Sequence, residues 1–213
     1  KHTAIINANE NGEINRTSYK ELAQKVARCQ SWLHGQGIVK GDRVAAIVTN
    51  CEETIVCFLA CASVGAIWTS CSPDFGEDAI LSRFQQVDPK CLVFVDQYLH
   101  KSKAFSIVSK IKHVITQLPT LECCLQLDRE FSEKSYDYTT AYSSVQQADI
   151  DTHLIFEKMD FNDPLYILYS SGTTGKPKSM VHSIGGSLLE HMKEQQLHCD
   201  MTRKDVVFYY TSC

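Results

Sequence analysis

The residues best suited to chemistry lie at 169–178, reading Tyr-Ser-Ser-Gly-Thr-Thr-Gly-Lys-Pro-Lys. Ser170, Ser171, Thr173 and Thr174 supply hydroxyls, and Lys176 and Lys178 supply positive charge. Such a set suits an anion with several oxygens, above all a phosphate. Gly172 and Gly175 allow backbone angles and close approach denied to residues with a Cβ, and Pro177 restricts how far the loop can wander. An apolar strand-like run at 165–169 precedes the loop and a helical pattern at 184–197 follows it. That order predicts backbone N–H groups and a helix N-terminus gathered around the anion.

The spelling excludes two familiar phosphate sites. G-x-x-x-x-G-K-[ST] is not met, because two residues separate Gly172 from Gly175 and Pro177 follows Lys176. G-x-G-x-x-G occurs nowhere, so a nicotinamide or flavin site has no support. A flexible Gly/Ser/Thr linker is the competing structural reading, and linkers rarely join an apolar strand to an amphipathic helix.

The elements that must position this loop alternate in type. Residues 4–7 and 13–16 flank Asn-Glu-Asn-Gly and predict a hairpin. Ser18 and Glu21 form a capping box, after which Leu22, Val26, Cys29 and Leu33 recur at helical spacing until Gly35 and Gly37. Uniformly apolar runs at 44–48 and 91–95 read as strands covered on both faces. Helical periods at 52–64, 78–87 and 104–118, with strands at 66–68 and 121–127, complete the alternation. An α/β fold follows, with a layered parallel sheet and an N-terminal hairpin. Residues 128–163 lose periodicity and are expected to form a surface excursion, and 206–210 read as a further strand.

Composition narrows the field. The chain has 213 residues, 44% hydrophobic and 22% charged, enough for a sizeable core. Its net charge of −4 offers no broad cationic surface for nucleic acid. No window approaches the roughly 20 apolar residues of a membrane span. The ten cysteines contain no C-x-x-C and none pairs with histidine at zinc spacing, so they are expected to be reduced, buried and apolar in role, as in the cytosol. The apolar run that ends the chain without a cap suggests a sequence that continues in its parent.

Residues 167–178 resemble the signature loop of the adenylate-forming superfamily, which comprises acyl-CoA synthetases, luciferases and peptide-synthetase adenylation domains. The surroundings at 163–186 and 188–194, with Ser179 where the superfamily habit is Gly, resemble the subgroup that takes acetoacetate; acetate-specific relatives share Val181-His182 and Gly185-Gly186. Gly41-Asp-Arg-Val44 and the helix reaching Ala66 are similar to the family's upstream core, so the likeness covers nearly the whole chain.

The resemblance implies that 1–213 is part of one AMP-binding N-terminal domain, divided as 1–127, 128–163 and 164–213. It implies an acid–thiol ligase using ATP, Mg2+ and coenzyme A. Ser170, Ser171, Gly172, Thr173, Thr174, Gly175, Lys176 and Lys178 would face the ATP phosphates, and Lys101 and Lys103 would lie near the nucleotide end of coenzyme A, unless that basic stretch is only a solvated helix start. The adenylation lysine, the magnesium motif and a mobile C-terminal domain would lie beyond Cys213, so the segment alone would not turn over. His182 would lie near the nucleotide or simply cap or pack. The alternatives are a truncated non-catalytic product with residual nucleotide binding, an acyl-CoA synthetase for another short acid such as acetate, and a soluble domain using the loop only structurally.

Overall fold

The computed structural model describes residues 2–10, 12–127, 139–150, 153–170, 175–209 and 211. Apolar alternation around a polar turn gives the expected hairpin, β1 (Thr3–Ala8) and β2 (Ile14–Ser18), with Gly12 at φ +82° in the turn. Ser18 then caps α1 (Tyr19–Gly35). Its hydroxyl accepts from the Glu21 N–H while the Glu21 carboxylate accepts from the Ser18 N–H, satisfying two otherwise orphan donors.

The repeating units are β3 (Arg43–Ile47), α2 (Glu52–Val64), β4 (Ile67–Cys71), α3 (Glu77–Phe84) and β5 (Cys91–Phe94). A short hairpin, β6 (Gln97–His100) and β7 (Lys103–Ser106), comes next, then α4 (Val108–Thr116) and β8 (Cys123–Gln126). The chain continues through β9 (Thr139–Ala141), α5 (Tyr142–Gln147), β10 (Pro164–Ser170), β11 (Lys178–Ser183) and α6 (Ile184–Lys193), which runs into a π-helical turn at Glu194–His198.

Seven strands form one sheet in the order β11-β10-β4-β3-β5-β8-β9, parallel throughout except for β11. Every residue of β5 and β8 is buried, which is why those runs carry no polar alternation. Gly65 ends α2 at φ +78°, and a Cβ there would meet Met159 Sδ at 2.8 Å, so both backbone and packing call for glycine. The Lys25 ammonium and the Thr17 hydroxyl both reach Glu52 Oε1, at 2.6 and 2.8 Å, tying β2, α1 and α2 together around one nearly buried carboxylate.

Several expectations need correction. Residues 97–106 form a hairpin, so the basic stretch at 100–103 is not a helix start and helix begins only at Val108. Tyr98 stacks on Phe105 across it with ring centroids 5.6 Å apart, and Lys101 and Ser102 take φ of +52° and +59° at its turn. Within 128–163, residues 128–138, 151 and 152 lie outside the described residues, yet β9 and α5 extend the sheet and bury Tyr142 and Val145. Residues 206–209 form no strand. A strand exists only in a ladder, and none of the described residues offers this run a partner.

The cysteines behave as small apolar groups. Eight are buried, and Cys199 alone among the described residues is exposed. Burial pushes the Cys71 and Cys124 thiols up to about 12, because a thiolate there would be stripped of water. Iodoacetamide at pH 8 is therefore expected to label Cys199 and to spare Cys71 and Cys124, as read by peptide mass spectrometry. Rapid stoichiometric labelling of Cys71 or Cys124 in the folded protein would contradict this packing.

Candidate functional site

The loop leaves the sheet at its carboxyl edge. β10 runs parallel to β4, with Tyr166 opposite Trp68 and Ile167 opposite Thr69, so Ser170 lies at the same end of the sheet as Cys71, Ile47 and Phe94. Open α/β sheets bind ligands outside this edge, where strands end and loops turn back. β11 then returns antiparallel to β10, with Ser170 opposite Lys178 and Tyr169 opposite Ser179. The two strands thus hold the ends of the loop side by side. Ser171, Gly172, Thr173 and Thr174 lie outside the described residues.

This geometry corrects one expectation. A strand, not a helix, follows the loop, and α6 starts at Ile184, at the far end of β11 from Lys178. Five residue steps at about 3.4 Å separate Lys178 from Ser183, so the helix N-terminus sits roughly 17 Å away and cannot supply its N–H groups to an anion at the loop. The first N–H groups of α6 are served internally instead, with Ser183 Oγ accepting from the Gly186 N–H at 3.2 Å.

The flanks of the loop are braced from α3 and the turn that follows it. The Tyr169 hydroxyl donates to Arg83 O at 3.0 Å, and Gln86 Nε2 donates to Pro177 O at 3.0 Å. The Arg83 guanidinium lies over the rings of Phe75 and Tyr169, at 5.1 and 5.7 Å from their centroids. Burial raises the Tyr169 phenol above its ordinary value, so at neutral pH it remains a neutral donor. Inside the sheet, Thr69 Oγ1 donates to Ile167 O at 3.0 Å, fixing β10 before the loop departs. None of these braces was foreseen. Each of the three hydrogen bonds joins residues more than 85 positions apart, and local patterning carries no sign of such contacts.

Among the described loop residues, Gly175, Lys176 and Lys178 are exposed and Ser170 is partly so. Gly175 has no positive φ, and a Cβ built on it would meet nothing within 4 Å. The described surroundings of Gly175 therefore leave room for a side chain. His182 lies four residues beyond Lys178, about 14 Å along the strand. Its ring stacks on Tyr166 at 4.9 Å, so it packs against β10 and stands away from the loop.

Lys101 and Lys103 also sit at the carboxyl edge, on the hairpin that follows β5. Three strand spacings, about 14 Å, separate β5 from β10. The base of this hairpin is closed by Ile107 N–H donating to Asp96 O at 2.8 Å, and the buried Asp96 carboxylate accepts from Gln126 Nε2 at 2.9 Å.

The loop is set between two strands at the carboxyl edge of a mostly parallel sheet, and the chain belongs to the family described as AMP-binding enzyme, which it matches over residues 1–213. Its particular relatives are acyl-CoA synthetases. It is 42% identical over 212 residues to the acetoacetyl-coenzyme A synthetase of Rhizobium meliloti (strain 1021), covering 99% of this chain and 33% of that protein. It is 38% identical over 219 residues to the acetoacetyl-CoA synthetase of Xenopus tropicalis, covering 98% and 33%. The solved structure of acetoacetyl-CoA synthetase from Streptomyces lividans superposes with a TM-score of 0.94 at 38% identity, covering 99% of this chain and 32% of that one. The chain spans about a third of the length of the curated relatives it matches.

Proposed function

We propose that the protein carrying this chain activates acetoacetate in two steps. A carboxylate oxygen of acetoacetate attacks the α-phosphorus of ATP, the bond from that phosphorus to the bridging oxygen breaks, and pyrophosphate leaves. The thiol of coenzyme A then attacks the acyl carbon and AMP departs. In this reading the 213 residues are part of one N-terminal domain of a cytosolic ligase in lipid metabolism, and the adenylation lysine lies outside them. The observation that carries the reading is the loop at 170–178, held at the carboxyl edge by paired strands in a chain of this family.

The loop would act by electrostatic stabilisation. Hydroxyls of Ser170, Ser171, Thr173 and Thr174, amides around Gly172 and Gly175, and the ammonium groups of Lys176 and Lys178 would neutralise the β- and γ-phosphates as charge grows on the leaving pyrophosphate. Magnesium would be held by a motif outside these 213 residues; among the described residues no group of three or more His, Cys, Asp and Glu side chains lies together so as to hold a metal ion. No described helix is long and apolar enough to cross a membrane.

The test is acid-dependent exchange of labelled pyrophosphate into ATP by the full-length protein, with acetoacetate, acetate and butyrate supplied in turn. Highest exchange with acetoacetate is expected, whereas exchange driven by acetate or butyrate and not by acetoacetate would overturn the substrate. Lys101 and Lys103 would meet the phosphate-bearing end of coenzyme A. Reversing both charges, Lys101→Glu with Lys103→Glu, is expected to raise the KM for coenzyme A by about ten-fold, the value of one charged hydrogen bond. An unchanged KM would remove both residues from that site.

A further inference from the structure

The two hairpins of the chain meet at their turns. Glu10, in the turn between β1 and β2, accepts a hydrogen bond from the Ser102 N–H through Oε2 at 2.7 Å, across 92 positions of sequence. Lys101 and Ser102 are both left-handed, the backbone of a tight hairpin turn, and their side chains and those of His100 and Lys103 are exposed. An outward amide among basic side chains selects an anion, and the anion on it in this structure is supplied by the chain itself.

We infer that Glu10 is a built-in competitor for this turn: its carboxylate occupies the Ser102 amide and leaves when a phosphate monoester binds between Lys101 and Lys103. The inference rests on the assignment of those two lysines to the phosphate-bearing end of coenzyme A, and adds a group that opposes it. A phosphate brings three acceptor oxygens and up to two negative charges, where the Glu10 carboxylate brings two oxygens and one charge. The phosphate therefore wins the amide and both ammonium groups. The displaced carboxylate raises the concentration of ligand needed. Because the contact lies at the surface and is screened by water and salt, the effect is modest, about two- to five-fold in affinity.

The experiment compares coenzyme A with 3′-dephospho-coenzyme A as thiol substrates of the full-length protein, in the wild type and in Glu10→Gln, Glu10→Ala and Lys101→Glu/Lys103→Glu variants. Glu10→Gln keeps an acceptor for the Ser102 amide and removes only the charge, so the join between the hairpins survives. Both Glu10 variants are expected to lower the KM for coenzyme A by about two- to five-fold and to leave that for the dephospho compound unchanged. Equal shifts for the two thiols, or none for either, would overturn the role of Glu10. If the lysine variant raises the KM for coenzyme A while the Glu10 variants do nothing, only the competitor is lost. If the lysine variant also leaves both KM values untouched, the coenzyme A assignment falls and the competitor falls with it.

Discussion

Replacing Thr173 and Thr174 together by valine in the full-length protein is expected to lower acid-dependent pyrophosphate release by about 10²-fold or more while leaving the unfolding midpoint in place. Valine matches threonine closely in volume but cannot donate, so under the proposed role the change would take two donors from the leaving phosphates. The loss should appear in kcat more than in the KM for ATP, because the charge these groups meet is largest as the bond from the α-phosphorus breaks. The anchors of the loop, Tyr169 on Arg83 O and Gln86 on Pro177 O, are untouched by the double change. A rate within two-fold of the wild type would remove both threonines from the reaction.

The second large effect concerns stability. Phe94→Ala is expected to cost about 3–5 kcal/mol, read from the shift of a denaturant midpoint at constant slope. Phe94 is fully buried at the end of β5, a strand paired on one side with β3 and on the other with β8, so no rearrangement at an edge can fill the space left behind. Phe208 makes the contrast, since it is 85% exposed and its change to alanine should stay within about 0.5 kcal/mol in this chain. Comparable costs at the two positions would contradict the placement of the core.

The parallel sheet was legible because its central strands have no choice of environment. Runs such as Val44-Ala-Ala-Ile and Cys91-Leu-Val-Phe are apolar at every position, and only a strand covered on both faces buries them all. The start of α1 was legible because a capping box is local, satisfied by residues three apart. The loop at 169–178 was legible for the same reason, since its glycines, hydroxyls and lysines are contiguous. What the chain does after the loop was not. β11 reads Lys-Ser-Met-Val-His-Ser, a mixed pattern with four of its six residues exposed, and its strand character comes from pairing with β10. The β6–β7 turn was hidden differently: Lys101 and Ser102 are left-handed without being glycine or asparagine, so the usual turn signal is absent. β9 and α5 escaped notice because a short edge strand and a six-residue helix bury few side chains, too few to impose a period.

ATP is expected to bind through the loop between β10 and β11. Hydrogen–deuterium exchange of the full-length protein, with and without ATP, tests it by locating the backbone that the nucleotide protects. Slowed exchange in peptides covering 168–180, with the N-terminus of α6 at 184–187 unchanged, is the result this account predicts. Protection confined to other segments, with 168–180 exchanging equally fast in both states, would contradict it.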